Sequence, residues 1–232
     1  DLTPPYVKSV YPNNGSTVAK NSVVQIDFNE AMDPSGMQGS FVDNGKNYFS
    51  LKDGHIYLEA KNSSVPVGSF NLSNGYRTLE FVSNIACGVN ACGKKRFCLP
   101  VCDNATQPNC TKDIFTLLVK AAQTKGTTGF EGVPFTGAMD LSGNALNSNK
   151  NNKAEQVALT NADKPFPYSK KPDNFSWFFT VKDYIDITAP YLHRIIPGID
   201  ADWVNQDQVW SMTFSKRMRA ESLYNIGIDE KY

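Results

Sequence analysis

Val24-Gln-Ile-Asp-Phe28, continued by Asn29-Glu-Ala-Met-Asp33, decides how this chain folds. Val24, Ile26 and Phe28 are apolar, while Gln25 and Asp27 are polar. An extended backbone sends the first three to one side and the other two to the opposite side. A strand with one oily face and one wet face covers a core on one side only, as in an antiparallel sheet packed on a second layer. Asp33-Pro-Ser then marks a short helical turn. No segment keeps a 3.6-residue apolar period over three turns.

The same alternation recurs along the chain. Ile56/Leu58/Ala60, Leu79/Phe81, Phe115/Leu117/Val119 and Trp177/Phe179/Val181 each spell a half-buried strand. Turn clusters separate them: Pro12-Asn-Asn-Gly15, Asp43-Asn-Gly45, Ser73-Asn-Gly75 and Leu141-Ser-Gly-Asn144. Many short strands punctuated by Gly, Asn and Pro predict an all-β sandwich rather than an α/β fold. The run Asn147 to Asn152 is expected to be a polar loop, and Asp163 to Asp173 an exposed crossing before the last strand.

The opening stretch also has a second copy. Trp210-Ser-Met-Thr-Phe-Ser-Lys-Arg-Met-Arg219 aligns with Val24 to Asp33, and Asp186-Ile-Thr-Ala-Pro-Tyr-Leu-His-Arg-Ile-Ile-Pro-Gly198 aligns with Asp1-Leu-Thr-Pro-Pro-Tyr-Val-Lys-Ser-Val-Tyr-Pro-Asn13. The two pairs occur in the same order, with spacings that differ by one residue. Tandem copies of one unit follow, residues 1–185 complete and 186–232 the beginning of another. The absence of an initiator Met suggests a processed or excised segment.

These motifs resemble the bacterial Ig-like modules of S-layer and other surface proteins. The resemblance rests on Pro5–Gly15, on Phe28–Asp33 with its Met-Asp ending, and on Asp140-Leu-Ser-Gly-Asn-Ala-Leu146. The aromatic strand Phe175-Ser-Trp-Phe-Phe-Thr180 and the Asp-x-Thr-Ala-Pro linker complete it. It implies an immunoglobulin-like Greek-key β-sandwich, an extracellular or cell-surface location, and neighbouring modules or subunits of the same protein as partners. Such modules usually run to about 100 residues. This one is longer, with the excess around residues 83–113 and 121–172.

Composition agrees with a globular chain and removes some classes. The apolar fraction is 41%, and 23 basic residues balance 23 acidic ones. A nucleic-acid binder would show a basic excess, and no such excess exists. No apolar run approaches the roughly 18 residues of a membrane span. Six Asn-x-Ser/Thr sequons begin at Asn14, Asn62, Asn71, Asn104, Asn109 and Asn174; they support an extracellular setting weakly.

Cys87, Cys92, Cys98, Cys102 and Cys110 fall in one stretch. Cys-x₂-Cys spacing is missing and His55 is distant in sequence, which argues for disulfides stapling an inserted loop rather than a zinc knuckle. An odd count leaves one thiol free or paired outside the chain. Connectivity stays open.

Asp183 and Asp186 at the junction, with Asp200, Asp202 and Asp207 on the first loop of the second unit, are candidate calcium ligands. Hard oxygens from both sides of a junction can rigidify it. The run lacks the Gly and terminal Glu of an EF-hand loop. Asp140-Leu-Ser-Gly-Asn144 is instead expected to be a turn with Gly143 at positive φ. Glu30 and Asp33 would be a carboxylate pair for acid/base catalysis, but their counterparts are Lys216 and Arg219. A repeat that swaps acid for base while keeping Phe and Met preserves packing, so Met32 and Met218 are core plugs and no catalytic set is expected. His55 and His193 are isolated.

Phe166, Tyr168 and Phe178 are candidate ligand-contact aromatics, alongside Tyr48-Phe49. The expected function is a structural or interaction module of a surface layer, filament or stalk. The alternative is an adhesin or carbohydrate-binding accessory that takes glycans or cell-surface proteins. Apart from the calcium site, no cofactor is expected.

Overall fold

The computed structural model describes residues 1–40, 42–43, 48–50, 55–62, 66–90, 93–101, 109–125, 130–133, 136–151, 153, 173–218 and 223, with backbone alone at 39–40, 42–43 and 48–50. The chain falls into two compact units, Asp1–Asp186 and Ile187–Tyr232.

Unit 1 is an immunoglobulin-like β-sandwich. Its strands in chain order are β1 (Val7–Tyr11), β2 (Thr17–Ala19), β3 (Val24–Phe28), β4 (Gly39–Ser40), β5 (Val42–Asp43), β6 (Tyr48–Ser50) and β7 (Ile56–Ala60). They continue with β8 (Gly68–Ser73), β9 (Thr78–Ser83), β10 (Ala86–Val89), β11 (Lys95–Phe97), β12 (Lys112–Val119) and β13 (Phe175–Lys182). One sheet has the order β1-β3-β9-β8-β4 and the other β2-β13-β12-β7-β6-β5. Consecutive strands that change sheets between β7 and β8, and again between β9 and β12, give Greek-key connections. β10 and β11 form a separate hairpin.

The deciding stretch follows its alternation in part: Gln25, expected on the wet face, is buried and donates its Nε2 to Glu80 Oε2 at 3.1 Å. Val24, Ile26 and Phe28 are buried, and Asp27 on the other face accepts hydrogen bonds from the Ser9 and Thr78 hydroxyls at 2.6 and 2.9 Å. Opposite them, β7, β12 and β13 contribute Ile56, Leu58, Phe115, Leu117, Trp177, Phe179 and Val181 to one continuous core. Phe115 stacks on Phe179 with centroids 5.7 Å apart, and Trp177 donates its indole N–H to the Pro12 carbonyl at 3.2 Å. Each large side chain sealed this way stabilises by about 1.5–3 kcal/mol. Met32 plugs the core, fully buried. Asp33 caps the short 3₁₀ turn Pro34–Gly36, accepting from the Ser35 amide at 2.8 Å and the Ser35 hydroxyl at 2.6 Å.

Three further expectations change. The leg of the cysteine-rich insertion that returns to the sandwich buries Cys98 and Leu99, and Leu99 belongs to the core, so this part is not held by cross-links alone. Asn147, expected in a polar loop, is buried because residues 144–147 run against the N-terminal segment, where its amide donates to the Pro5 carbonyl at 2.8 Å; Asp173, expected at the end of an exposed crossing, is buried as well, its carbonyl accepting the Ser148 amide at 3.4 Å. Leu118 is fully buried although it points away from its core-facing neighbours Leu117 and Val119.

β2 joins the N-terminal segment of unit 1 to its last strand. It pairs in parallel with β13, Thr17 with Thr180, Val18 with Val181 and Ala19 with Lys182. β1 instead pairs antiparallel with β3 in the other sheet. The N-terminal strand is therefore split between the two layers.

In unit 2, β14 (Leu192–Ile196) pairs antiparallel with β15 (Ser211–Phe214). Leu192 faces Phe214, Arg194 faces Thr213, Ile195 faces Met212 and Ile196 faces Ser211, with a shift between Leu192 and Arg194. In unit 1, Val7 faces Phe28, Ser9 faces Asp27, Val10 faces Ile26 and Tyr11 faces Gln25, with a shift between Val7 and Ser9. Register and irregularity coincide position by position. The closing bonds coincide too: the Tyr6 amide donates to Asn29 Oδ1 at 2.5 Å, and the Tyr191 amide to Ser215 Oγ at 3.0 Å. The expected inner face of this hairpin is open among the described residues, with Trp210 64% and Met212 47% exposed.

Candidate functional site at the two ends of the sandwich

The C-terminal end of unit 1 is fastened by the two residues that follow β2. The Lys20 ammonium pairs with the Asp183 carboxylate at 2.7 Å, and the Lys20 amide donates to the Tyr184 carbonyl at 3.1 Å. Asn21 Nδ2 donates to the Asp186 carbonyl and Asn21 Oδ1 accepts from the Asp186 amide, both at 2.8 Å. The parallel pairing of β2 with β13 brings these segments together, because strands running the same way end side by side. An exposed ion pair contributes about 0–1 kcal/mol. The paired amide bonds define the geometry more closely.

The junction aspartates therefore have distinct surroundings. Asp183 is engaged by Lys20, and Asp186 is held through its main chain. Asp200, Asp202 and Asp207 lie on exposed loop of unit 2, Asp200 at φ 59°. Among the described residues, these three do not form a group whose carboxylates approach closely enough to share an ion.

The close acidic group lies at the other end. Single carboxylate oxygens of Asp1, Glu30 and Asp140 are all within 4.8 Å of one another. The isolated bridge between Met32 and Asp140 brings Glu30 beside a residue far along the chain. Burial pushes the Glu30 carboxyl above the ordinary value of 4.5. The Asn29 amide bond pulls it back, the Asp140 charge raises it, and Arg77 lowers it. Asp140 is heavily used by its own turn: Oδ1 accepts the Ser142 and Asn144 amides, both at 2.8 Å, and Oδ2 accepts Asn144 Nδ2 at 2.7 Å. Gly143 takes φ 86°, as that turn requires. Asp33 is not part of this group, since its carboxylate caps the 3₁₀ turn. The sequence pattern pairs Glu30 with Asp33 and makes Asp140 a turn former; the approach of Glu30 to Asp140 comes from the Met32–Asp140 bridge, which no local pattern encodes.

In the insertion, Cys87 and Cys98 form a disulfide with Cα atoms 5.8 Å apart. Cys110 is disulfide-bonded as well. Cys92 and Cys102 lie outside them. The hairpin root is tied to the sandwich: the Cys98 amide donates to the Ile85 carbonyl at 2.9 Å, Ser83 Oγ to the Cys98 carbonyl at 2.6 Å, and the Leu99 amide to the Lys20 carbonyl at 2.8 Å.

Of the candidate contact aromatics, Phe178 is 47% exposed on the outer face of β13, as alternation with Trp177 and Phe179 requires. Phe166 and Tyr168 lie outside the described residues, as do the side chains of Tyr48 and Phe49. His55 is buried, its Nδ1 3.1 Å from the Gly36 carbonyl oxygen. Among the sequons, Asn14, Asn62, Asn71 and Asn109 are exposed, Asn174 is buried with its Oδ1 accepting the Ala121 amide, and Asn104 lies outside the described residues. Among the described residues no helix is long and apolar enough to cross a membrane.

Residues 1–81 match the family model of the bacterial Ig-like domain. Comparison with curated proteins and with solved structures gave no match.

Proposed function

We propose, taking the bacterial Ig-like domain family of residues 1–81 as the premise, that this chain is a structural spacer segment of a bacterial surface protein. In this reading the spacer is made of Ig-like modules in tandem. The observation that carries it is the parallel β2–β13 pair. Because β2 and β13 run the same way, the chain enters unit 1 at one end of the sandwich and leaves at the opposite end. A unit threaded end to end extends a chain, whereas one with both termini at the same end would decorate it.

The repeated register of β1–β3 and β14–β15 supports the tandem reading, including the shared shift and the Tyr6/Tyr191 closing bonds. Unit 2 then begins a second module, with Thr188-Ala-Pro190 as the linker and Pro190 limiting its backbone. The Lys20 and Asn21 contacts fix the departing chain to unit 1 as far as Asp186.

The test is to image the full-length protein and treat intact source cells with protease. The expected result is a row of globular beads and release of fragments containing residues 1–186 from the cell exterior. A single compact particle, or a protein protected in intact cells, rejects the reading.

A further inference from the structure

We propose that Asn74 is a site of self-modification, its side-chain amide being lost to a cyclic imide with Gly75 and replaced through water, while the fold protects the matching pair Asn14-Gly15. This inference is independent of the spacer reading.

Asn-Gly stands at three places in the sequence, residues 14–15, 44–45 and 74–75. A glycine after Asn leaves its amide nitrogen open to the Asn side chain, since no Cβ stands beside it. Asn44-Gly45 lies outside the described residues. Both residues of the other two pairs are exposed, so access to water does not separate them. Their hydrogen bonds do.

Asn14-Gly15 is held by one residue of β13. The Gly15 amide donates to the Phe178 carbonyl at 2.7 Å, and Asn14 Oδ1 accepts from the Phe178 amide at 3.1 Å. The nitrogen that would attack and the carboxamide it would attack are both tied to β13. Both bonds must open before a ring can close.

Asn74-Gly75 sits at the tip of the β8–β9 hairpin, beyond the pair Ser73–Thr78. Among the described residues the Gly75 amide donates no hydrogen bond, and the Asn74 carboxamide has one long bond, Nδ2 to Thr78 Oγ1 at 3.4 Å. Asn74, Gly75 and Tyr76 take φ 53°, 59° and 65°. Two of these are side-chain-bearing residues in the left-handed region, and strain of that kind lowers the cost of distorting the loop.

The step balances without an oxidant or reductant. The Gly75 nitrogen gives up its proton and bonds to Asn74 Cγ, and the Cγ–Nδ2 bond breaks. Nδ2 takes up the proton and leaves as ammonia. Water then opens the succinimide. Cleavage at Cγ gives aspartate, and cleavage at the main-chain carbonyl gives isoaspartate, with one more methylene in the backbone.

Either product sets a carboxylate near Arg77, whose Nη1 lies 3.5 Å from where a Cβ on Gly75 would stand. Arg77 is also a favourable charge for Glu30, so the two acids would compete for it. The loop is docked on the chain at and after the end of β3, with the Phe28 amide donating to the Arg77 carbonyl at 2.8 Å and the Met32 amide to the Tyr76 carbonyl at 2.9 Å. An inserted methylene is therefore felt beside Glu30.

The experiment incubates the oxidised 232-residue chain in mildly alkaline buffer, folded and in urea, and maps the Asn-Gly peptides after digestion in acid. Conversion reads as a gain of about 1 Da, with the isoaspartyl peptide resolved by chromatography. In the folded chain Asn74 should convert about tenfold faster than Asn14, because hydrogen bonds hold the latter closed. In urea the two rates should come within about threefold of each other, since those bonds are gone. Asn74→Gln, whose ring would be one atom larger, should lose the conversion at this position. Equal or faster conversion of Asn14 in the folded chain overturns the inference. So does a folded Asn74 that stays intact while it converts in urea, or a preference for Asn74 that urea leaves unchanged.

Discussion

The Asn21 carboxamide grips Asp186 on both its main-chain groups, Nδ2 to the carbonyl and Oδ1 from the amide, each at 2.8 Å. A side chain is here copying the hydrogen bonding of a neighbouring strand, one residue before unit 2 begins. Asn supplies donor and acceptor from one rigid plane, which neither Asp nor Ser does at that length.

Asn21→Ala removes both bonds, each worth about 0.5–1.5 kcal/mol. Amide exchange should accelerate at Tyr184–Asp186 and protease cutting near Thr188 should increase, while the global unfolding midpoint falls by less than about 2 kcal/mol equivalent. Asn21→Asp, which keeps the acceptor and loses the donor, should lie between the two. Unchanged exchange at Asp186 in Asn21→Ala would show that the clamp does not hold the chain.

Adjacent positions on β13 should respond oppositely. Phe179 is fully buried against Phe115, so Phe179→Ala should destabilise by about 3–5 kcal/mol. Phe178 is half-exposed on the outer face, so Phe178→Ala should cost less than about 1.5 kcal/mol. Urea unfolding of the two variants checks the facing of this strand directly; similar losses would contradict it.

Glu59 on β7 gives a pH signature. Burial raises its carboxyl above 4.5, so the folded state holds this proton more tightly than the unfolded chain does. Its ionisation therefore removes stability as pH rises from 4.5 through the raised folded value, and acid restores that stability. Glu59→Gln cannot ionise. The melting temperature of Glu59→Gln minus that of the native chain should be positive near neutrality and shrink toward zero as pH falls below 4.5. A difference that does not change with pH would remove burial of the charge as its cause.

Cys87→Ser/Cys98→Ser opens a short covalent loop, worth about 2–3 kcal/mol by chain entropy. The urea midpoint should drop accordingly, and new cleavage should appear between residues 84 and 98 while β12 and β13 amides remain protected. Cleavage spread evenly over unit 1 would mean the hairpin does more than brace itself.

The strands were legible in the sequence because burial on one side forces a period of two. Val24/Ile26/Phe28 and Trp177/Phe179/Val181 announce their facing without any partner in view. The turn at Asp140–Asn144 was legible too, since its chemistry is local. What alternation does not encode is who lies opposite. The approach of Glu30 to Asp140 depends on a bridge between Met32 and a residue far along the chain. The Cys87–Cys98 choice depends on the β10–β11 hairpin, whose short, Gly-interrupted strands carry no clear period. Leu118 shows the opposite failure: strict alternation assigns it to solvent, and it is buried. Trp210 and Met212 carry the same apolar pattern on a face that is exposed among the described residues, so the pattern marks a face without naming what lies opposite it.

The parallel β2–β13 ladder has a mechanical consequence. Tension applied through the two ends of unit 1 acts along the strand direction, pulling β2 and β13 past each other. The hydrogen bonds of Thr17–Ala19 with Thr180–Lys182 then share the load together in shear instead of opening singly like a zip. The split between β1 and β2 ties the same N-terminal segment to both layers, so a pull must slide it off two sheets before the core yields. Resistance to stretching is thus set by a few pairings at the margins of the sandwich, and it can differ sharply from resistance to heat, which the aromatic interior governs.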